Sequence, residues 1–291
     1  MTVPDPEFPM RDMKDTLRST FRRVFNLENR RAAVRPGKLE TISGFESKIL
    51  ENSRDITVYL PAGYGDRDQS RRYPVLYMQD GQNLFDPHRA FVPGQHWRLK
   101  EAADEAIGAR TASPMIIVGI DNAGPSRIDE YAPTHDPKKN GGGRADDYAK
   151  FLLEELKPQI DAKYRTLGDG ANTAAGGSSL GGLLSRHLAA KYPDAFSRAA
   201  VMSPSVWWHD RVILREVDEF ASQNRPRIWL DIGGREGAEA LQGARALRDK
   251  LREKGWTDEN LAYVEERRGD HSERAWAARI RKVLEFLFPP A

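Results

Sequence analysis

The segment Gly177-Ser178-Ser179-Leu180-Gly181 has the residue types and spacing of a serine nucleophile. The stretch TAAGGSS up to its centre is typical of a short buried strand, and LGGLLSRHLAAKY after it is typical of a helix, which is the setting of a nucleophile elbow. In so tight a turn the positions two before and two after the serine nearly touch, so neither has room for a β-carbon. Both flanks are glycine when Ser179 is the centre, whereas one flank is Leu180 when Ser178 is the centre. The pattern therefore favours Ser179, with an ordinary Gly/Ser-rich turn as the alternative.

A serine nucleophile needs a base that takes its proton, and three histidines follow Ser179 in the chain. His187 is two turns along the predicted helix, about 12 Å from the hydroxyl at 1.5 Å per residue, so it is too distant. His209 follows SPSVWW, where it could line a pocket but precedes any acid loop. His271 lies in the loop GDHSERAW after the last predicted strand. The chain order nucleophile, acid, base therefore predicts His271 as the base.

The acid that orients this base has two candidates at the end of the segment RIWLDIGGREG. Asp231 falls within the predicted strand, where its side chain points to one face of the sheet. Glu236 follows the double glycine and lies on the loop, so we expect Glu236 to be the acid. The alternative is a strand-end carboxylate that caps the next helix.

These residues must be positioned by elements that alternate along the chain. Eight segments have strand character, bounded by Gly, Pro and Asp: ETISGFESKIL, DITVYLPAG, YPVLYMQD, PMIIVGIDN, TAAGGSS, RAAVMSPS, RIWLDIGG and LAYVEERRG. Five segments have apolar residues at helical spacing: WRLKEAADEAIGAR, DDYAKFLLEELKPQIDAKY, LGGLLSRHLAAKY, GARALRDKLREKGW and ERAWAARIRKVLEFLF. After a hairpin-like opening pair, this alternation predicts an α/β fold with a mostly parallel sheet and helices on both faces. The chemistry is then expected at the carboxyl ends of the strands.

Three blocks, YMQDGQNLFD, GGSSLGGLLS and GDHSERAWAARI, resemble the putative-esterase family of α/β-hydrolases, and the likeness runs from about residue 40 to the end. That family includes siderophore esterases, feruloyl and acetylxylan esterases, S-formylglutathione hydrolase and mycolyltransferases. The resemblance implies an α/β-hydrolase fold and an oxyanion hole made of two backbone amides, those of Gln82 and Leu180. Where many relatives have histidine before D-G-Q-N, this chain has Gln79, so any role of that histidine is absent.

The stretch VGIDNAGPSRIDEYAP also resembles the family, which implies that Arg127 and Tyr131 lie beside the substrate pocket. Arg127 either meets an anionic part of the substrate or pairs with Glu130 to brace the loop. Trp207, Trp208 and His209 lie near a strand end and are candidate substrate contacts. Two further aromatic residues near strand ends could also stack on a sugar or aryl group: Phe85 and Trp97.

Composition limits the possible partners and compartment. The 45 Lys and Arg residues nearly balance the 43 Asp and Glu residues, so the formal charge of +2 gives no field that favours nucleic acid. Cysteine is absent, which excludes disulfides, thiolate metal sites and a cysteine nucleophile. No clustered metal-ligand spacing or long apolar run occurs, so we expect no metal and no stable membrane insertion. The N-terminus favours a cytoplasmic protein, with a removed signal peptide as the alternative.

The expected organisation is an N-terminal amphipathic helix and linker at 1–39, followed by one catalytic domain at 40–291. The segment MRDMKDTLRSTFRRVF spaces apolar residues helically with Arg and Lys between them. Such a helix lies on a membrane surface or, more often, packs on its own domain or on a second copy in a homodimer.

The predicted function is hydrolysis of a small-molecule carboxylic ester through an acyl-enzyme, without a cofactor. Ser179 attacks, His271 moves the proton, Glu236 orients His271, and water frees the acyl group. The expected substrate is a sugar-linked, aryl or siderophore-type ester. Two alternatives remain open: a non-catalytic relative that binds a glycan or siderophore, and an acyltransferase of the same fold.

Overall fold

The computed structural model describes residues 36–66, 68–220 and 225–290. The predicted N-terminal helix and its membrane or homodimer contacts lie outside these residues. Within this part of the chain, no helix combines the length and apolar content that crossing a bilayer requires.

The described chain forms one mixed sheet of eight strands, ordered β1-β2-β4-β3-β5-β6-β7-β8. The strands are β1 Lys38–Ser47, β2 Asn52–Leu60, β3 Val75–Gln79, β4 Ile116–Ile120, β5 Thr173–Ser178, β6 Arg198–Met202, β7 Arg227–Gly233 and β8 Leu261–Glu266. β1 pairs with β2 and β2 with β4 in antiparallel fashion, and every other neighbouring pair is parallel. All eight predicted strands and the mostly parallel sheet are confirmed.

Helices connect these strands. They are α1 Leu99–Gly108, α2 Arg127–Tyr131, α3 Ala145–Lys150, α4 Lys157–Lys163, α5 Leu180–Lys191, α6 Trp208–Asp218, α7 Ala238–Glu253 and α8 Glu273–Leu287. A π-helical turn, Phe151–Leu156, joins α3 to α4. The sequence prediction missed α2, which has five residues, and α6, whose residues 209–211 have positive φ values that interrupt the helical period.

The core has two layers because successive residues of a buried strand face opposite sides of the sheet. In β3, Val75 and Tyr77 belong to one apolar cluster, and Leu76 and Met78 belong to the other. Leucines of α5 pack in the first cluster, and apolar residues of α1 and α8 pack in the second. The expectation of helices on both faces is therefore confirmed.

The parallel strands bring their carboxyl ends to one edge of the sheet. Asp80 follows β3, Ser179 follows β5, Ser203 follows β6, Glu236 lies in the loop after β7, and His271 lies between β8 and α8. Residues that are far apart in sequence therefore meet at this edge.

Candidate active site

The turn from β5 into α5 has the predicted elbow geometry. Ser179 has φ 58° and ψ −121°, a strained combination for a residue with a side chain. A β-carbon on Gly177 would lie 2.9 Å from the carbonyl carbon of Gly181, so this flank has room only for glycine. Ser178, by contrast, ends the strand and is buried. The choice of Ser179 as the residue at the apex follows from this geometry.

Contacts to the end of β6 hold the elbow in place. The Ser179 amide donates to the carbonyl of Met202 at 3.1 Å, and the Ser205 amide donates to the carbonyl of Ser179 at 3.0 Å. The two hydroxyl oxygens, Ser179 Oγ and Ser205 Oγ, lie 3.3 Å apart. The strained backbone of the elbow is thus braced by its neighbouring loop.

His271 and Glu236 form a hydrogen-bonded pair. Nδ1 of the half-exposed His271 ring lies 2.7 Å from Oε2 of the buried Glu236 carboxylate. The ring also meets the Trp276 indole edge-on, with centroids 5.0 Å apart. The Glu236 Oε1 atom accepts bonds from the Ser203 hydroxyl at 2.6 Å and from the Gly233 amide at 2.8 Å. Burial opposes the charge on Glu236, but the hydrogen bonds from His271, Ser203 and Gly233 outweigh it and hold its pKa below the ordinary value.

Asp231, the other candidate acid, has different partners. Its fully buried carboxylate accepts bonds from the Trp229 indole at 2.8 Å and lies 3.1 Å from the Arg279 guanidinium. Burial raises its pKa despite the opposing effect of Arg279. Asp231 thus forms an ion pair with Arg279 of α8, whereas Glu236 contacts His271.

The two amides expected to form an oxyanion hole both lie in the first turn of a helix. Leu180 begins α5, and Gln82 lies in the short 3₁₀ helix Gly81–Asn83. Amides in a first turn lack intrahelical acceptors and are available to a ligand. Gly81 has no room for a β-carbon, which would lie 2.7 Å from backbone atoms of Ile120. The loop after β3 is therefore pressed against β4.

Next to the elbow is a cavity of about 350 Å³, here called the first pocket. Its lining includes Ser179, His271, Gln82, Arg127, Phe91 and Trp276. A second pocket of about 250 Å³ has a different lining, which includes His271, Ser203, Ser205, Trp207, Glu236 and Glu239. His271 lies in both linings, so the two pockets meet at the imidazole.

Arg127 lines the first pocket, and the alternative in which it pairs with Glu130 is wrong. Its Nε and Nη2 atoms each lie 2.7 Å from an oxygen of Asp80. Although burial disfavours its charge, Asp80 keeps the pKa of Arg127 above the ordinary value. Glu130 is fully buried and binds Arg54 at 2.9 Å instead. Arg127 therefore braces the loop after β3 while part of its guanidinium faces the pocket.

Three predicted substrate contacts are not found in either pocket lining. Tyr131 is fully buried, and its hydroxyl accepts the Asp80 amide at 3.2 Å. Trp208 is buried, and its indole donates to the carbonyl of Thr134 at 3.0 Å. His209 lies with Nδ1 2.7 Å from the Thr134 hydroxyl. The predicted contacts of Tyr131 and Trp208 are wrong because both side chains fill the core, and His209 is directed at Thr134.

Of the remaining aromatic candidates, Trp207 reaches the second pocket, whereas Trp97 is buried against Trp276 with ring centroids 5.6 Å apart. Phe85 is partly buried against the core. Sequence reasoning missed Phe91 and Trp276 as pocket residues. Trp276 stands five residues after His271 in a block already recognised, which was the available signal, whereas nothing in the sequence around Phe91 marks it.

Comparison with known proteins decides the family. Residues 47–287 match the family model described as "Putative esterase". The chain belongs to this esterase family. By that membership it is a carboxylic ester hydrolase.

Relatives of this esterase are named for two kinds of substrate. An endo-1,4-beta-xylanase/feruloyl esterase of Xylanibacter ruminicola is 25% identical, over 89% of this chain and 32% of the relative. A siderophore enterobactin esterase of Emericella nidulans is 33% identical, over 56% of this chain and 58% of the relative. The match thus spans about a third and somewhat over half of these proteins' lengths. A solved ferulic acid esterase has the same fold, with a TM-score of 0.68 and 23% identity over 87% of this chain and 98% of that one.

Proposed function

We propose that this esterase acts through a triad of Ser179, His271 and Glu236. The observation that carries the proposal is the 2.7 Å contact between His271 Nδ1 and Glu236 Oε2, with His271 and Ser179 in the lining of one pocket. A carboxylate at Nδ1 fixes the tautomer that leaves Nε2 free to accept a proton. The low pKa of Glu236 keeps that carboxylate charged at neutral pH.

The reaction begins when the Ser179 hydroxyl turns from Ser205 towards His271 and attacks the ester carbonyl. His271 takes the hydroxyl proton, and the carbonyl oxygen becomes an oxyanion that accepts bonds from the Gln82 and Leu180 amides. When the tetrahedral intermediate collapses, His271 returns the proton to the departing alcohol oxygen. A water molecule then attacks the acyl-enzyme and gives a proton to His271. The bond between the acyl carbon and Ser179 Oγ breaks, His271 returns the proton to this oxygen, and the carboxylic acid leaves.

The proposed substrate is a sugar-linked, aryl or siderophore-type ester. Aromatic side chains support this class, because Phe91 and Trp276 line the first pocket and Trp207 lines the second. Planar rings and sugar C–H faces bind such surfaces. The relatives named above act on feruloyl and enterobactin esters according to their names, which agrees with this proposal.

The experiment compares Ser179→Ala with Ser178→Ala on p-nitrophenyl acetate. Ser179→Ala should lower kcat by about 10⁴-fold or more, because it removes the attacking oxygen. Ser178→Ala is the matched control, since its side chain lies in the strand rather than at the apex of the turn. Equal losses in two folded variants would contradict the assignment.

A panel of acetyl, butyryl, feruloyl and catecholate-lactone esters, ranked by kcat/KM, then tests the substrate class. A preference for aromatic acyl groups is expected from the lining of the first pocket. A preference for long, flexible acyl chains would contradict the proposed class.

A further inference from the structure

The two pockets are lined by different members of the proposed catalytic site. Gln82 lines the first pocket and not the second, whereas Ser205, Trp207 and Glu239 line the second and not the first. His271 lines both. In the sheet, β3 lies on one side of β5, and β6, β7 and β8 lie on the other. Gln82 follows β3, whereas the second pocket is lined by residues that follow β6, β7 and β8, so the oxyanion donor and the second pocket lie on opposite sides of Ser179.

This arrangement gives the bound ester a direction. The carbonyl oxygen must point to the amides of Gln82 and Leu180, while the departing oxygen must receive its proton from His271. The two oxygens diverge from one carbon, so the alcohol half extends towards the pocket that His271 lines and Gln82 does not. We propose that the second pocket is the subsite for the alcohol half, and that it takes a neutral alcohol with hydrogen-bond donors and an apolar face. This inference rests on the proposed triad, because His271 sets the direction.

The polar groups of the second pocket accept hydrogen bonds more readily than they donate them. Glu239 is exposed at the start of α7, and no described side chain forms an ion pair with it. The Glu236 oxygens are already occupied by His271, Ser203 and Gly233. Carboxylates are acceptors only, so a ligand that contacts Glu239 must bring a donor such as a hydroxyl.

Charge around the pocket favours a neutral ligand. No lysine or arginine belongs to the described lining, so an anionic alcohol inside the pocket would be repelled by Glu239. Two cations lie just outside. Lys139 Nζ is 5.2 Å from the centroid of the Trp207 ring, and Arg211 lines a narrow crevice beside the same indole. With a carboxylate in the lining and two cations at its edge, neither sign of ligand charge is favoured, which leaves neutral alcohols as the preferred class.

Trp207 supplies the apolar face. Its side chain is 44% exposed, whereas the adjacent Trp208 is 1% exposed. Among the four large apolar side chains that are exposed in the described residues, Phe91 and Trp207 belong to pocket linings. An indole beside a carboxylate suits a compact polyol that stacks its C–H face and donates a hydroxyl.

The test uses three acetyl esters that differ only in the alcohol: methyl acetate, methyl 5-O-acetyl-arabinofuranoside and O-acetyl-N-acetylserine. The last carries a free carboxylate. Wild type should give the highest kcat/KM for the arabinoside and the lowest for the serine derivative. Trp207→Ala should lower the arabinoside to methyl acetate ratio by about tenfold. Glu239→Gln should lower the arabinoside to serine ester ratio by about tenfold, because it removes a charged acceptor and the repulsion of the anion.

Glu253→Gln is the matched control, because it removes the same charge from the far end of α7, about 21 Å away at 1.5 Å per residue. It should leave all three rates at wild-type values. Unchanged ratios in Glu239→Gln and Trp207→Ala, or equal losses on all three esters, would overturn the subsite. Failure of the proposed triad would be seen separately, because the Ser179→Ala variant would then hydrolyse methyl acetate at the wild-type rate. That result would overturn the proposed direction of ester binding as well.

Discussion

Ser203 connects the proposed acid to the core, and its removal is the most informative perturbation of the site. The hydroxyl donates to Glu236 at 2.6 Å and accepts bonds from the Trp276 indole at 3.1 Å and from Arg279 at 2.9 Å. Arg279 in turn pairs with Asp231. We predict that Ser203→Ala moves the acid limb of the kcat/KM profile to higher pH. This shift is expected in addition to any loss of stability.

The size and sign of this shift follow from the contacts of Glu236. Without the hydroxyl, its Oε1 atom keeps only the Gly233 amide at 2.8 Å. A hydrogen bond to a charged group contributes about 1.5–3 kcal/mol, which corresponds to roughly one to two pKa units. The carboxylate of the variant is therefore more basic and stabilises protonated His271 more strongly. The acid limb of kcat/KM, which follows loss of that proton, should move upward by up to about one pH unit.

Three variants separate this shift of the acid limb from a general loss of stability. Ser203 has φ 40°, so Ser203→Gly relieves backbone strain that Ser203→Ala retains, although both lack the hydroxyl. Both should show the same shift of the acid limb between pH 5 and 9 on p-nitrophenyl acetate, with the glycine variant melting at the higher temperature. Ser203→Thr keeps a hydroxyl and should keep the wild-type limb. The prediction would be refuted if the alanine and glycine variants had lower rates but an acid limb at the same pH as wild type.

Three further predictions concern the acid, the metal requirement and the remote histidine. Glu236→Gln should keep the fold and lower kcat by up to about 10⁴-fold, whereas Asp231→Asn should mainly lower Tm; the reverse pattern would make Asp231 the acid. Exhaustive chelation should leave the rate on p-nitrophenyl acetate unchanged, and recovery of lost activity with added zinc would contradict this. Burial opposes the charge of His187, but Asp146 and Glu216 at 3.1 and 2.6 Å raise its pKa to about 9. Its contribution to stability is therefore complete below about pH 6.5 and lost as pH rises through about 9, so His187→Gln should lower Tm by roughly 5 °C at pH 6 and little at pH 10; equal shifts at both would contradict it.

The sequence was sufficient for the sheet and for the proposed nucleophile, because both depend on local patterns. Buried parallel strands are short apolar runs between turn residues, and all eight could be recognised. The elbow motif has glycine at two fixed offsets from its serine, which distinguishes Ser179 from Ser178 without any knowledge of the fold. Glu236 could be preferred to Asp231 because a loop residue after a strand reaches the sheet edge, whereas a residue within the strand points to a face.

Pocket contacts could not be predicted in this way, because they depend on residues distant in sequence. Trp207 and Trp208 are adjacent and identical in type, yet one is exposed and the other buried. Trp208 packs in the core and its indole donates to the carbonyl of Thr134, 74 residues away in the chain. Arg127 likewise pairs with Asp80 from 47 residues away rather than with its near neighbour Glu130. No periodicity within either segment contains this information.

Two carboxylates, one within β7 and one in the loop after it, contribute to the position of His271, the proposed base. Glu236 contacts the His271 ring directly, whereas Asp231 pairs with Arg279 on α8, the helix that begins two residues after His271. Arg279 and Trp276 of that helix both bond to Ser203, which in turn donates to Glu236. The helix that carries the histidine loop and the loop that carries the acid are thereby fixed to one buried hydroxyl. The distance between His271 and the proposed acid, Glu236, is consequently set by the core of the protein, and the exposed loop around His271 does not have to maintain it alone.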